Sequence, residues 1–196
     1  METSFCSRRA LAASGADQMN IPWLSIGILG AKVLASRKTS ASSDSSDYEL
    51  IEDQTGLSEG ALVDLFREAL GVPYYYGAGR GEPYPADGYD CSGYVDSALR
   101  AAGFDLPWSA DYASCATMLD VLGDPISLTY GEEPPIGSIV AYGDPGKITH
   151  VVLSTGSGVI GASGGTSSTK GDDPNARVKE FPTAWYRDDL VGYWVV

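Results

Sequence analysis

Cys91 stands in Asp90-Cys91-Ser92-Gly93, where a glycine-rich loop runs into an amphipathic helical pattern. A thiol in the first turn of a helix feels the positive end of the helix dipole and unpaired backbone N–H groups. Both lower its pKa toward the thiolate, which is the nucleophilic form. Such a residue is suited to attack a carbonyl carbon and form a covalent intermediate. The ordinary fate of a free cysteine is burial as a small inert hydrophobe. Cys115 fits that fate, beside the apolar stripe Tyr112/Ala116/Leu119, whereas the neighbours of Cys91 are small and polar. A cysteine nucleophile needs a base, and the chain has one histidine, His150, in Gly146-Lys147-Ile148-Thr149-His150-Val151-Val152-Leu153-Ser154. That segment has strand character, with His150, Val152 and Ser154 on one face and Val151 and Leu153 on the other. A lone strand histidine is ordinarily a structural hydrogen-bonder. Placed 59 positions after a helix-capping cysteine, it is the natural general base for that thiol.

Composition narrows the chemistry further. A single histidine excludes metal sites built on two or more imidazoles, and no metal or organic cofactor is expected. Three cysteines (Cys6, Cys91, Cys115) are an odd number, so at least one thiol stays outside any disulfide. The 196 residues carry 13 Lys+Arg against 26 Asp+Glu, a net charge of -13. An acidic surface repels phosphate backbones and anionic lipid, which argues against nucleic-acid partners and polybasic membrane docking. With 43% hydrophobic residues the chain can build a core, and its length suits one domain plus an appendage.

The elements that must position these residues follow from periodicity. Ser58 caps a predicted helix with Leu62, Leu65, Phe66 and Ala69 on one face, stopped by Gly71. A second helix is predicted over Cys91 to Ala102, and a third over Ser109 to Leu122, capped by Ser109 and closed by Gly123. Short β-rich runs follow, at Ser138–Tyr142, Ile148–Ser154, Gly158–Ala162, Arg177–Phe181 and Leu190–Val195, separated by Gly/Pro/Asp turns. Helices first and antiparallel strands afterwards mean an α+β fold, N-terminal helices packed on an antiparallel sheet.

Residues 1–56 differ in composition. Ile21 to Ala35 is a mostly apolar run of 15 residues, short of the roughly 20 needed to cross a bilayer. No integral span is expected, and no clear small-x-small cleavage site follows the run, so a short packing or docking segment is the first reading and a cleaved or anchoring segment the alternative. Residues 1–35 are expected to form a docking segment and 36–56 a Ser/Asp-rich linker, leaving 57–196 as the domain.

Four blocks together resemble the NlpC-type family of bacterial cell-wall cysteine peptidases. They are Pro73-Tyr74-Tyr75-Tyr76-Gly77, Asp90-Cys91-Ser92-Gly93-Tyr94-Val95, Pro135-Ile136-Gly137-Ser138-Ile139-Val140 and His150-Val151, and the likeness runs from about Leu57 to Val196. The resemblance implies a papain-like arrangement in which Cys91 attacks a stem-peptide amide of peptidoglycan. His150 then serves as base and later as acid for the leaving amine. It implies that Tyr74 lies beside the thiol and holds substrate or oxyanion, and that Asp90 and Ser92 border the substrate's N-terminal end. The backbone N–H of Cys91 would supply part of an oxyanion hole. The family's usual bond follows D-glutamate, and the amidase bond at L-alanine is the alternative for the same Cys–His pair. A weaker likeness of the Gly161–Gly165 run and Ala176-Arg177-Val178 to phage-encoded members implies a virion-tail or secreted, wall-facing location. Residues 1–56 would then dock on tail or hub proteins.

The chain departs from the family in the strand after the base. A polar third residue, often histidine, ordinarily holds the imidazole there, and here Gly161 takes that place. Ser163, two residues on and pointing the same way, is one candidate substitute, acting directly or through water, with a backbone carbonyl or an Asp of Asp172-Asp173 as the fallback and a catalytically weakened structural tail component as the competing outcome. Two other patterns are set aside. Gly161-x-Ser163-x-Gly165 matches a serine-hydrolase elbow, but His150 precedes it and no parallel sheet is predicted. Gly77, Gly79 and Gly81 lack the spacing and the lysine of a phosphate loop. Of the trio Tyr74–Tyr76, only alternate residues can point inward, so at least one is expected to line the Cys91 cleft.

Overall fold

The structure is a computed structural model, and it describes residues 54–196. The docking segment expected at 1–35 and nearly all of the linker expected at 36–56 lie outside the described residues; Gln54 and Thr55, at its end, are helical. Among the described residues three complete α-helices, α1 (Glu59–Arg67), α2 (Cys91–Ala101) and α3 (Cys115–Leu122), precede five strands. The strands are β1 (Ile139–Asp144), β2 (Lys147–Ser154), β3 (Val159–Ser163), β4 (Arg177–Phe181) and β5 (Leu190–Trp194). They form one antiparallel sheet in the order β4-β3-β2-β1-β5. The α+β architecture expected from helices followed by strands is therefore the one observed. Among the described residues no helix is long and apolar enough to cross a membrane.

Local chemistry explains the helix starts. Ser58 caps α1 through the amide of Ala61, and Asp90 caps α2 through the amide of Gly93. The third helix differs from expectation. Ser109 makes no side-chain cap, and only a single 3-10 turn forms over Ala110–Tyr112. The backbone then extends at Ala113, and α3 begins anew behind Ser114, whose hydroxyl accepts from Thr117 N–H at 3.2 Å. The break has a tertiary cause: the Arg80 guanidinium takes the Ala113 carbonyl, removing it from a continuous helical ladder. Cys115 thus becomes the first residue of a helix instead of a mid-helix residue, while it stays buried in the core as expected.

The helices cover one face of the sheet, where Leu62, Phe66, Val95, Leu99 and Met118 pack with Ile139, Ala141, Val151, Leu153 and Ile160. The other face carries Val140, Tyr142, Val152, Val159 and Ala184. The period-two alternation expected for β2 holds, with Val151 and Leu153 toward the helices and Val152 away. The β2–β3 ladder pairs Leu153 with Ile160 and Ser154 with Val159, and goes no further toward His150. The sheet is parted where the N-terminal end of α2 meets it.

Candidate active site

A cleft of about 850 Å³ opens at that end of the sheet, and all six residues expected from the sequence line it: Tyr74, Asp90, Cys91, Ser92, His150 and Ser163. Cys91 is the first residue of α2 and only 8% exposed. Its thiol is held well below the ordinary cysteine range. The sulfur of Cys115 contributes most, against the opposing effect of burial; the His150 side chain, by hydrogen bonding and charge, and the Val151 backbone N–H add to it. That amide is available because β2 and β3 have parted. The site thus favours a thiolate facing an imidazole.

His150 sits on β2 opposite Tyr142 of β1, whose ring packs beside it with centroids 5.9 Å apart. Its Nε2 is buried without a hydrogen-bond partner, so the exchange with Cys91 falls to the other ring nitrogen. Gly161, two residues before Ser163 on β3, lies against Val152. A Cβ there would lie 2.6 Å from Val152 Cγ1 and 3.3 Å from Val152 Cα, so the position has no room for a side chain. Ser163 ends β3 and would face His150 if the β2–β3 register continued, yet its hydroxyl does not bond Nε2. Its influence is on Tyr186 instead, where it partly offsets the upward push that burial gives that phenol.

The loop ahead of α2 is tied down by charge. Asp90 accepts from the amides of Gly93 (2.7 Å) and Gly77 (2.9 Å), from Arg80 (2.6 Å) and from the Ser92 hydroxyl (3.1 Å). Arg80 also donates to Ser92 Oγ at 2.7 Å. Burial pushes the Asp90 carboxyl upward, as does the neighbouring Cys91 charge, while Arg80 and the Gly93 amide act in the opposite sense. Tyr74 is 5% exposed, its ring packed over Gly165, whose missing side chain leaves that space. Burial first, then the Cys91 and Asp90 charges, raise its phenol far above the ordinary tyrosine range, so it remains an O–H donor. Of the tyrosine trio, Tyr74 and Tyr76 line the cleft, and Tyr75 and Tyr76 are partly solvent-exposed.

Sequence reasoning missed several lining residues. Arg80 carried a signal, a lone cation in the glycine-rich loop ahead of an Asp cap. Cys115 carried one too, since Ser114 followed by Thr117 is as good a helix start as Ser109. Tyr186, Arg187 and Asp189 come from the turn before β5, with Arg187 paired to Asp189 at 2.6 Å and lying 5.4 Å over the Tyr142 ring. Nothing in their spacing marks them.

The chain was compared with known proteins. No curated protein matches it. Three solved structures align at low similarity. The NlpC/p60 domain of peptidoglycan hydrolase SagA is 22% identical, covering 71% of this chain and 100% of that one, with a TM-score of 0.46. NlpC1 from Trichomonas vaginalis is 22% identical, covering 70% of this chain and 45% of that one, TM-score 0.45. A protein similar to lipoprotein of the NLP/P60 family from Staphylococcus aureus is 18% identical, covering 82% and 45%, TM-score 0.48. This chain therefore spans less than half the length of the last two. A profile of the NlpC/P60 family matches residues 71–169, a stretch that contains Tyr74, Asp90, Cys91, Ser92, His150 and Ser163. The chain belongs to the NlpC/P60 family, whose members are cysteine-type peptidoglycan hydrolases.

Proposed function

We propose that this protein is a cysteine endopeptidase that cuts the stem peptide of peptidoglycan between D-glutamate and the following diamino acid. The observation that carries the reading is the meeting of Cys91 and His150 in one cleft with the thiol held toward thiolate. In this reading the Cys91 thiolate attacks the amide carbonyl, and the oxyanion forms near the Cys91 N–H and the Tyr74 hydroxyl. His150, protonated in the ion pair, gives its proton to the departing amine as the C–N bond breaks and a thioester remains. It then takes a proton from water, whose oxygen attacks the thioester and releases the acid and the thiol. Asp90 and Ser92, locked to Arg80, border the end of the cleft that receives the peptide's N-terminal side.

Mass spectrometry of a peptidoglycan fragment digest tests this. The expected product carries a new D-glutamate carboxyl terminus, absent when Cys91→Ala replaces the wild-type protein. Cleavage at the lactyl–L-alanine bond would reassign the protein as an amidase. No cleavage by folded wild-type protein would favour a structural role in which Gly161 has disarmed the base.

The setting is the second part of the proposal: residues 1–56 dock the enzyme on a phage tail, facing the wall. It rests on the apolar run and the linker-like composition. Deletion of 1–47 is then expected to abolish incorporation into particles, and unchanged incorporation would refute the docking role.

A further inference from the structure

Two helix N-termini converge in the cleft, and each presents a cysteine as its first residue. Cys91 follows the Asp90 cap of α2, and Cys115 follows the Ser114 cap of α3. Their sulfurs are 3.7 Å apart, in hydrogen-bonding contact, and both residues are buried and outside any disulfide. Only a small approach separates this contact from the roughly 2 Å of an S–S bond. The two are 24 positions apart in the chain, so the contact is a product of the fold.

We propose that Cys115 is a second working thiol of the catalytic centre. In the reduced protein its S–H donates to the Cys91 thiolate, and under oxidation it closes a disulfide that removes the nucleophile. This rests on the reading of Cys91 as nucleophile and adds a group that touches the reacting atom.

The donor assignment follows from charge. A thiolate at Cys91 has no proton to give, so in the ion-pair state the hydrogen between the sulfurs must belong to Cys115. The other groups around Cys91 are His150 from β2, Asp90 and Arg80 from the loop side, Tyr74 ahead of that loop, and Tyr186 before β5. Among them His150 and the Val151 amide also favour the thiolate, and the Cys115 contact is the largest contribution. Asp90 is compensated by its ion pair with Arg80 at 2.6 Å.

The oxidative step balances with a hydroperoxide as oxidant. The Cys91 thiolate displaces hydroxide from hydrogen peroxide and becomes a sulfenic acid. The Cys115 sulfur then attacks the sulfenic sulfur, its proton leaving with the hydroxyl as water, and the S–S bond forms. Two thiols and one peroxide give one disulfide and two waters. A thiol reductant reverses the change by attacking one of the two sulfurs.

The test uses the full chain and no peptidoglycan, so its failure is separable from failure of the hydrolase reading. The first measurement is the alkylation rate of the Cys91 peptide by iodoacetamide across pH, in wild type and Cys115→Ala. Loss of a donor to a charged sulfur is expected to leave about tenfold less thiolate below the midpoint, moving the midpoint up. The second is peptide mapping after at least two equivalents of hydrogen peroxide, one for the sulfenic acid and one more for a sulfinic acid where no second thiol intervenes. Wild type is expected to show Cys91 linked to Cys115, with alkylation restored by dithiothreitol. Cys115→Ala is expected to carry Cys91 on to sulfinic acid, which dithiothreitol does not restore. Cys115→Ser keeps an O–H donor, so its midpoint is expected between the other two, with no cross-link. An unchanged midpoint in Cys115→Ala overturns the proposal. So does a wild-type Cys91 that reaches sulfinic acid without the cross-link.

Discussion

Cys91→Ala is expected to lower peptidoglycan hydrolysis by at least about 10⁴-fold while the protein stays folded, because Cys91 is the thiol that the His150 side chain holds toward thiolate. The structural cost is small. One sulfur leaves a site bordering the cleft, where a substitution of this size costs about 1 kcal/mol or less. His150→Ala is expected to follow the same pattern, with a loss of about 10²- to 10⁴-fold from removing the acid–base step. Its Nε2 has no partner in the fold, so the hydrogen bond lost with the ring is the one to Cys91. Turnover by reversed-phase separation of muropeptides, with thermal unfolding of each variant, checks both quantities together. A folded Cys91→Ala protein with near-wild-type turnover would sink the assignment of the nucleophile.

Gly93→Ala is expected to damage fold and activity at once. Gly93 is the third residue of α2, and a Cβ there would fall 1.9 Å from the Ala78 carbonyl oxygen and 3.2 Å from Asp90 Oδ1. The obstacle is backbone on one side and the helix cap on the other, and neither can rotate away. Relief requires the glycine-rich loop to lift off α2. That movement also strains the hydrogen bonds that the Asp90 carboxylate accepts from Gly77 N–H and Arg80. Overpacking of this kind costs about 3 kcal/mol, which for a domain of this size lowers the melting temperature by about 10 °C. The same displacement moves Tyr74, Asp90 and Cys91 relative to His150, and a misplacement of about 1 Å can cost 10²-fold in rate. Differential scanning calorimetry and the muropeptide assay measure the two effects. A variant with wild-type melting and turnover would show that the loop yields freely.

Much of this was legible in the chain itself. The order of helices and strands follows from hydrophobic period and turn residues, which are local properties. The strand Arg177–Phe181 was expected with its observed limits, and the helix from Cys91 ended one residue earlier than expected. The cleft residues were legible where a local rule marks them: a capping Asp before a cysteine, a lone histidine in an alternating strand, a tyrosine in an extended segment. The start of α3 was misplaced because two serines were equally good caps, Ser109 and Ser114. Arg80, 33 residues earlier in the chain than Ala113, decides between them.

By itself, then, the sequence determined the α+β order and marked the candidate nucleophile and candidate base, because those depend on short-range spacing and residue type. Only the tertiary structure decided that β2 and β3 part beside Val151, that Cys115 faces Cys91 at 3.7 Å, and that Tyr186 enters the cleft. Each of these is a contact between segments far apart in the chain. Its geometry is set by how helices and sheet pack, which no local pattern of residues encodes.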